Sequence, residues 1–149
     1  MLQTLSGQLG DRVLAPVGSH CILELYDCAG TLLNDVSYVL ESLREAVRRA
    51  NATLLSETYH QFEPHGITAL FLLSESHISI HTWPEVGYAA VDAFTCGSHT
   101  DPEKACLYLV EAFQAGRHNI SMLRRNPPPT VISLAPNSSM AMVDELVGV

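Results

Sequence analysis

Charge is scarce in this chain of 149 residues, with only 16% Asp, Glu, Lys or Arg, and what there is leans acidic. Eight Lys and Arg stand against sixteen Asp and Glu, for a net charge of -8. That balance argues against nucleic acid, whose binding is carried largely by Lys and Arg contacts to phosphate. It suits a cationic ligand better. No two of the four cysteines (Cys21, Cys28, Cys96, Cys106) form a C-x-x-C pair, so each is expected to stay reduced in a cytosolic setting. No apolar run approaches the roughly 18 residues of a membrane span. The opening MLQTLSGQLGDR lacks the charged start and long apolar segment of a secretory signal. A cytoplasmic protein with no membrane partner is expected. Internal repeats and low-complexity tracts are missing too.

What is present is a rather apolar composition, 47% hydrophobic, enough for one domain with a real core and a subunit interface. Residues 1–18 are punctuated by Gly and Pro and are expected to be a mobile lead-in. His20 to Tyr26 reads as a strand closed by a turn at Asp27 to Gly30. Asn34 or Asp35 caps a helix from Val36 to about Ala50, with Val36, Val39, Leu40, Leu43 and Val47 on one face. Thr53 to Phe62 is a second strand. Ile67 to Ser74 is apolar almost throughout, as in a strand buried on both sides. Ser76 to Thr82 alternates, and Tyr88 to Thr95 returns through a Pro84–Gly87 turn. Asp101-Pro102 starts a second helix, with Cys106, Leu109, Val110 and Phe113 as its buried stripe. Asn119 to Leu123 makes a last short strand, and residues 126–149 form a Pro-rich tail. This order predicts an α+β fold: a two-layer sandwich with helices on one face of a largely antiparallel sheet. A second copy of the same sheet would cover the other face.

Chemistry concentrates between Leu73 and Cys96. The period of two puts His77, Ser79 and His81 on one strand face, and Tyr88, Ala90, Asp92, Phe94 and Cys96 on one face of the next strand. A hairpin through Pro84–Gly87 brings Ser76 and Cys96 to one end and leaves His81 near the turn. The pattern makes a cluster, not a triad. Rival readings remain open at this point. A strand-face histidine is usually just hydrogen-bonded or half exposed. Zinc bound by His77, His81 and Cys96 would lack the paired spacings of structural sites. A serine hydrolase would need the glycines of G-x-S-x-G around its nucleophile.

The run SESHISIHTWPEVGYAAVDAFTCG resembles the signature of the short prokaryotic S-adenosylmethionine decarboxylase proenzymes. LELYDC, the Asp35 helix, TYHQFEPHGIT and the DPEKA helix start resemble the same family in the same order, so the likeness covers about Ser19 to Asn119. It implies a domain at residues 19–125 that cuts itself. The Ser76 hydroxyl attacks the carbonyl of Glu75, the amide becomes an ester, and β-elimination gives a β chain of 1–75 and an α chain of 76–149. Ser76 thereby becomes a pyruvoyl cofactor, an electron sink that takes S-adenosylmethionine as a Schiff base. The product, decarboxylated S-adenosylmethionine, feeds spermidine synthesis. The resemblance assigns His81 to self-processing as a proton acceptor and Cys96 to proton donation at the substrate's α-carbon. It assigns Phe62 to adenine stacking, Glu85 to the ribose, and Thr68 to a processing hydroxyl. It implies a homodimer and no metal. Trp83 and Pro84 are read as shaping the turn, His77 is given no role, and Cys21, Cys28 and Cys106 are read as buried small hydrophobes. Two alternatives stand beside this: the same scaffold acting on ornithine or arginine, or an uncleaved, non-catalytic homologue.

Overall fold

Helix starts and strand alternation place most of the chain. The structure, a computed structural model, describes residues 17–126. All but the first residue of the expected tail and all but the last two of the expected lead-in therefore lie outside the described residues. Asp35 accepts a hydrogen bond from the Tyr38 amide at 3.0 Å and so opens the long helix α2, Val36–Arg49. Asp101 does the same for the Glu103 and Lys104 amides at the start of α3, Pro102–Ala112. A short helix α1, Gly30–Leu33, replaces part of the expected turn. Gly30 is needed there because a Cβ would meet the Pro84 carbonyl oxygen at 2.7 Å.

Six strands form one antiparallel sheet: β1 Gly18–Tyr26, β2 Leu54–Gln61, β3 Ile67–Leu73, β4 Ser76–Trp83, β5 Tyr88–Cys96 and β6 Arg117–Arg125. Their spatial order is β2-β3-β4-β5-β1-β6. One face packs on α2 and α3 through Cys21, Leu23, Leu25, Ile67, Ala69, Phe71, Ile78, Ile80, Ala89, Val91 and Ala93, all buried against Val39, Leu43, Cys106, Leu109 and Phe113. The hydroxyl of Tyr38 ties the two helices by donating to the Ala112 carbonyl at 2.6 Å. The expected α+β two-layer architecture is the observed one.

Three details differ from the sequence reading. β3 is buried on one side only, with Leu70 46% and Leu72 51% exposed on the face away from the helices. β6 runs past the expected Asn119–Leu123 because it pairs with β1 along its whole length, from Gly18↔Arg125 to Tyr26↔Arg117. In α3 it is Ala105 that completes the buried stripe, while Val110 is only partly buried.

Candidate active site

The β3–β4 turn consists of Ser74 and Glu75, and the Glu75–Ser76 bond closes it. Ser76 has φ 143°, a backbone conformation that L-residues rarely adopt. Such outliers cost on the order of 1–3 kcal/mol and cluster at reactive positions. β4 pairs with β5 from Ser76↔Thr95 to Trp83↔Tyr88, so the expected hairpin register is the observed one. The Cys96 amide donates to the Glu75 carbonyl at 2.8 Å. This is the carbonyl that a Ser76 nucleophile would attack, and a fixed N–H on it would stabilise the developing oxyanion.

The Glu75 side chain is anchored equally firmly. It is 9% exposed and accepts from the Thr53 amide at 2.9 Å, the Thr53 hydroxyl at 3.2 Å and His99 Nε2 at 3.3 Å. The Thr53 amide, with His99 behind it, holds this carboxyl below the usual carboxylate range. Across from Ser76, the Thr95 hydroxyl is buried without a hydrogen-bond partner among the described residues.

A second set of polar groups meets Ser76 from other strands. The Ser76 hydroxyl oxygen and His77 Nδ1 lie within hydrogen-bond distance, 3.2 Å apart. His77 Nε2 lies 3.9 Å from Asp92 Oδ1 on β5, and Asp92 also holds His20 Nε2 of β1. Phe94 packs its ring on both histidines, 5.4 Å from His20 and 6.2 Å from His77 between centroids. The sequence reading gave no role to His77 and did not single out His20. The signal available for His77 was its adjacency to Ser76. That for His20 lies only in the β1–β5 pairing.

The remaining expected residues gather at the other end of β4. His81 Nδ1 and Thr68 Oγ1 are 2.8 Å apart, as cross-strand partners on β3 and β4. Phe62 follows β2 and packs edge-on against His60, with ring centroids 4.7 Å apart. Trp83 opens the Pro84–Val86 turn, as expected, and lies exposed between His81 and Tyr88, 5.1 Å from the Tyr88 ring. Tyr88 donates to the Glu24 carboxylate, which pushes its phenol up to about 12. Glu85 is 44% exposed on the short 3-10 turn Pro84–Val86 and faces His65 Nε2 at 3.1 Å.

These two groups do not meet within one chain. Five residues separate Ser76 from His81 along β4, about 16 Å at ~3.3 Å per residue. The same spacing removes the zinc reading. His77 and His81 stand roughly 13 Å apart, too far to share an ion with ligand bonds of about 2 Å. Cys21, Cys28 and Cys106 are buried free thiols.

The family model for S-adenosylmethionine decarboxylase matches residues 19–126. A relative from Synechococcus sp. (strain WH7803) named S-adenosylmethionine decarboxylase proenzyme is 54% identical over 118 residues, covering 79% of this chain and 92% of its own. One of the same name from Parasynechococcus marenigrum (strain WH8102) is 56% identical over 115 residues, covering 77% and 90%. Among solved structures, the adenosylmethionine decarboxylase of Aquifex aeolicus VF5 superposes with a TM-score of 0.72 at 37% identity, covering 78% of this chain and 97% of that one. A family model across the whole described domain, relatives above half identity and a matching sheet agree: the chain belongs to the S-adenosylmethionine decarboxylase family.

Proposed function

We propose that this protein is a self-processing, pyruvoyl-dependent S-adenosylmethionine decarboxylase that works as a homodimer. The observation that carries the self-cleavage is the Glu75–Ser76 bond itself: a left-handed Ser76, a carbonyl fixed by the Cys96 amide, and a turn clamped by the Glu75 carboxylate. In the first step the Ser76 oxygen bonds to the Glu75 carbonyl carbon, and the C–N bond breaks to leave an ester and a free amine. A base then removes the Ser76 α-hydrogen. The Cβ–Oγ bond breaks, the main-chain carboxylate of Glu75 departs as the new C-terminus, and the dehydroalanine left at position 76 takes up water and releases ammonia to become a pyruvoyl group. His81, held by Thr68, is the base for that elimination.

The roughly 16 Å between Ser76 and His81 supports the dimer. The sheet face away from the helices carries Ile22, Leu70, Leu72, Phe94 and Leu123, which are half buried or exposed. Two such faces packed about 10 Å apart remove this apolar surface from water. A two-fold axis crossing β4 near Ser79 lays the Ser76 end of one copy over the Trp83 end of the other. His81, Thr68, Phe62 and Glu85 of the second copy then complete the site around Ser76.

The residues at position 76 fit the group: its precursor serine lies in an unusual backbone conformation beside a polarised carbonyl. A pyruvoyl group there supplies a ketone that serves as an electron sink for the breaking bond to carbon dioxide. Around it, the Cys96 thiol delivers a proton to the substrate's α-carbon. Phe62 stacks on the adenine and attracts the nearby sulfonium through its ring face. Glu85 accepts from the ribose hydroxyls, and the acidic chain suits a cationic substrate. Among the described residues no helix is long and apolar enough to cross a membrane.

Intact-mass analysis of the purified protein tests the reading. Two chains divided between Glu75 and Ser76 are expected, with the C-terminal one blocked to Edman degradation, and a single chain for Ser76→Ala. A wild-type chain that stays whole after long incubation would overturn it. Carbon dioxide release from labelled S-adenosylmethionine then checks the substrate.

A further inference from the structure

We infer that His77 is the proton shuttle of the first cleavage step, the conversion of the Glu75–Ser76 amide to an ester. The inference rests on the self-cleavage proposed above. A serine hydroxyl is a poor nucleophile until a base takes its proton, and the group in position to do so is His77. Its Nδ1 lies 3.2 Å from the Ser76 hydroxyl oxygen, within hydrogen-bond distance. His81, assigned to elimination, reaches this site only from the second copy of the proposed dimer, whereas His77 meets Ser76 within one chain.

The surroundings of His77 set its tautomer. From β5, Asp92 Oδ1 lies 3.9 Å from Nε2, and Phe94 packs on the ring. From β1, His20 approaches edge-on at 6.5 Å between centroids, with its own Nε2 on Asp92. From β6, Arg125 Nη1 reaches His20 Nδ1 at 3.5 Å, and its guanidinium lies 5.1 Å above the Phe94 ring centroid. From β3, the neighbour opposite is the uncharged Leu72. At 3.9 Å Asp92 acts on the ring through its charge, which favours the proton on Nε2 and a lone pair on Nδ1 for the hydroxyl. It also stabilises the imidazolium that forms.

The step balances without any co-reactant. The Oγ–H bond breaks and its proton passes to Nδ1 as Oγ bonds to the Glu75 carbonyl carbon. Negative charge collects on the carbonyl oxygen, where the Cys96 amide donates. When the C–N bond breaks, the proton on His77 goes to the departing Ser76 nitrogen. His77 is regenerated, and an ester and an amine have replaced an amide and a hydroxyl.

Hydroxylamine separates this step from the next, because it cleaves an ester and leaves the peptide bond whole. Freshly translated full-length chains are incubated, treated with or without neutral hydroxylamine, and resolved by denaturing gel and intact mass. His81→Ala is expected to stay whole alone and split at residue 75 with hydroxylamine, as an ester arrested before elimination. His77→Ala, and His77→Ala combined with His81→Ala, are expected to resist both treatments, with ester formation slowed about 10²- to 10⁴-fold. Added imidazole, which matches the ring removed, is expected to restore cleavage of His77→Ala. His77→Gln, with an amide in place of the base, serves if the alanine chain does not match the thermal melt of Ser76→Ala. A His77 variant that accumulates ester, or cleaves at the wild-type rate, overturns the assignment. A wild-type chain that never cleaves overturns instead the self-processing on which it rests.

Discussion

At its Ser76 end, β4 leaves a two-residue turn whose acid, Glu75, is 9% exposed and bonded to the Thr53 amide, the Thr53 hydroxyl and His99. At its Trp83 end, the strand runs into a 3-10 turn whose acid, Glu85, is 44% exposed and faces a single histidine, His65. Both ends hold a histidine beside a hydroxyl: His77 on Ser76 and His81 on Thr68. Both turns use positive φ, but the open end does so at a glycine, Gly87, and only the first end imposes it on a residue with a side chain, Ser76. Under the proposed self-cleavage, the contrast is a division of labour. One end is rigid and poised on its own main chain, as bond breaking needs. The other presents open aromatic and acidic side chains, as recognition needs.

The largest effect comes from asking whether the two ends act on each other across copies. Ser76→Ala lacks the nucleophile, and His81→Ala lacks the eliminating base, so each chain alone is expected to remain whole. Co-expressed, a mixed dimer pairs the intact Ser76 of one chain with the intact His81 of the other. The His81→Ala chain is then expected to go from no cleavage to cleavage, read by mass-tagging the two chains differently. If the mixture stays as inert as its parts, each chain must bring His81 to its own Ser76, and the division by end collapses.

Next in size are substitutions that separate cutting from turnover. Cys96→Ala keeps the main-chain amide on the Glu75 carbonyl and loses only the thiol. Self-cleavage is expected to persist while kcat falls about 10²- to 10⁴-fold. At the opposite end, Phe62→Ala is expected to raise KM about tenfold, since stacking a base on an aromatic ring contributes roughly 1–3 kcal/mol, with cleavage unchanged. A Cys96→Ala enzyme with normal kcat would remove the thiol from the chemistry. A Phe62→Ala enzyme with normal KM would leave Phe62 an ordinary exposed aromatic.

Much of this contrast was legible in the sequence because it depends on local rules. Alternation from Ser76 to Thr82 and a turn at Pro84–Gly87 fix the register, and the register alone puts Cys96 beside Ser76 and His81 far from both. The His77–Asp92–His20 cluster was not legible. It exists because β1 inserts between β5 and β6, and no local pattern reports that neighbourhood. The anchors of the two acids were hidden for the same reason: Thr53 and His99 come from separate loops, His65 from the β2–β3 connection. β6 was underestimated because an edge strand facing solvent on both sides carries no apolar alternation. Leu70 and Leu72 misled in the other direction, since exposed leucines on the open face of a strand read in sequence like buried ones.

The smallest effect tests why the cutting end is rigid. Glu75 has a folded-state pKa held below the ordinary carboxylate value of about 4.3, first by the Thr53 amide and then by His99. A depressed carboxyl contributes stability that is fully present above its unfolded pKa and is lost as pH falls toward the lowered folded value. In the uncleavable Ser76→Ala background, Glu75→Gln is therefore expected to lower the melting temperature at neutral pH by a few degrees, for a loss of about 1 kcal/mol. The loss is partial because glutamine keeps one oxygen for the Thr53 amide. The gap between the two chains should close as pH drops below the carboxylate range. Glu85→Gln, at the open end, is expected to move the melt little at any pH, as exposed pairs contribute about 0–1 kcal/mol. Equal, pH-independent effects of the two substitutions would mean that the clamp on the scissile turn is no firmer than a surface pair. The rigidity of that end would then have to come from the Cys96 amide and the backbone of Ser76 alone.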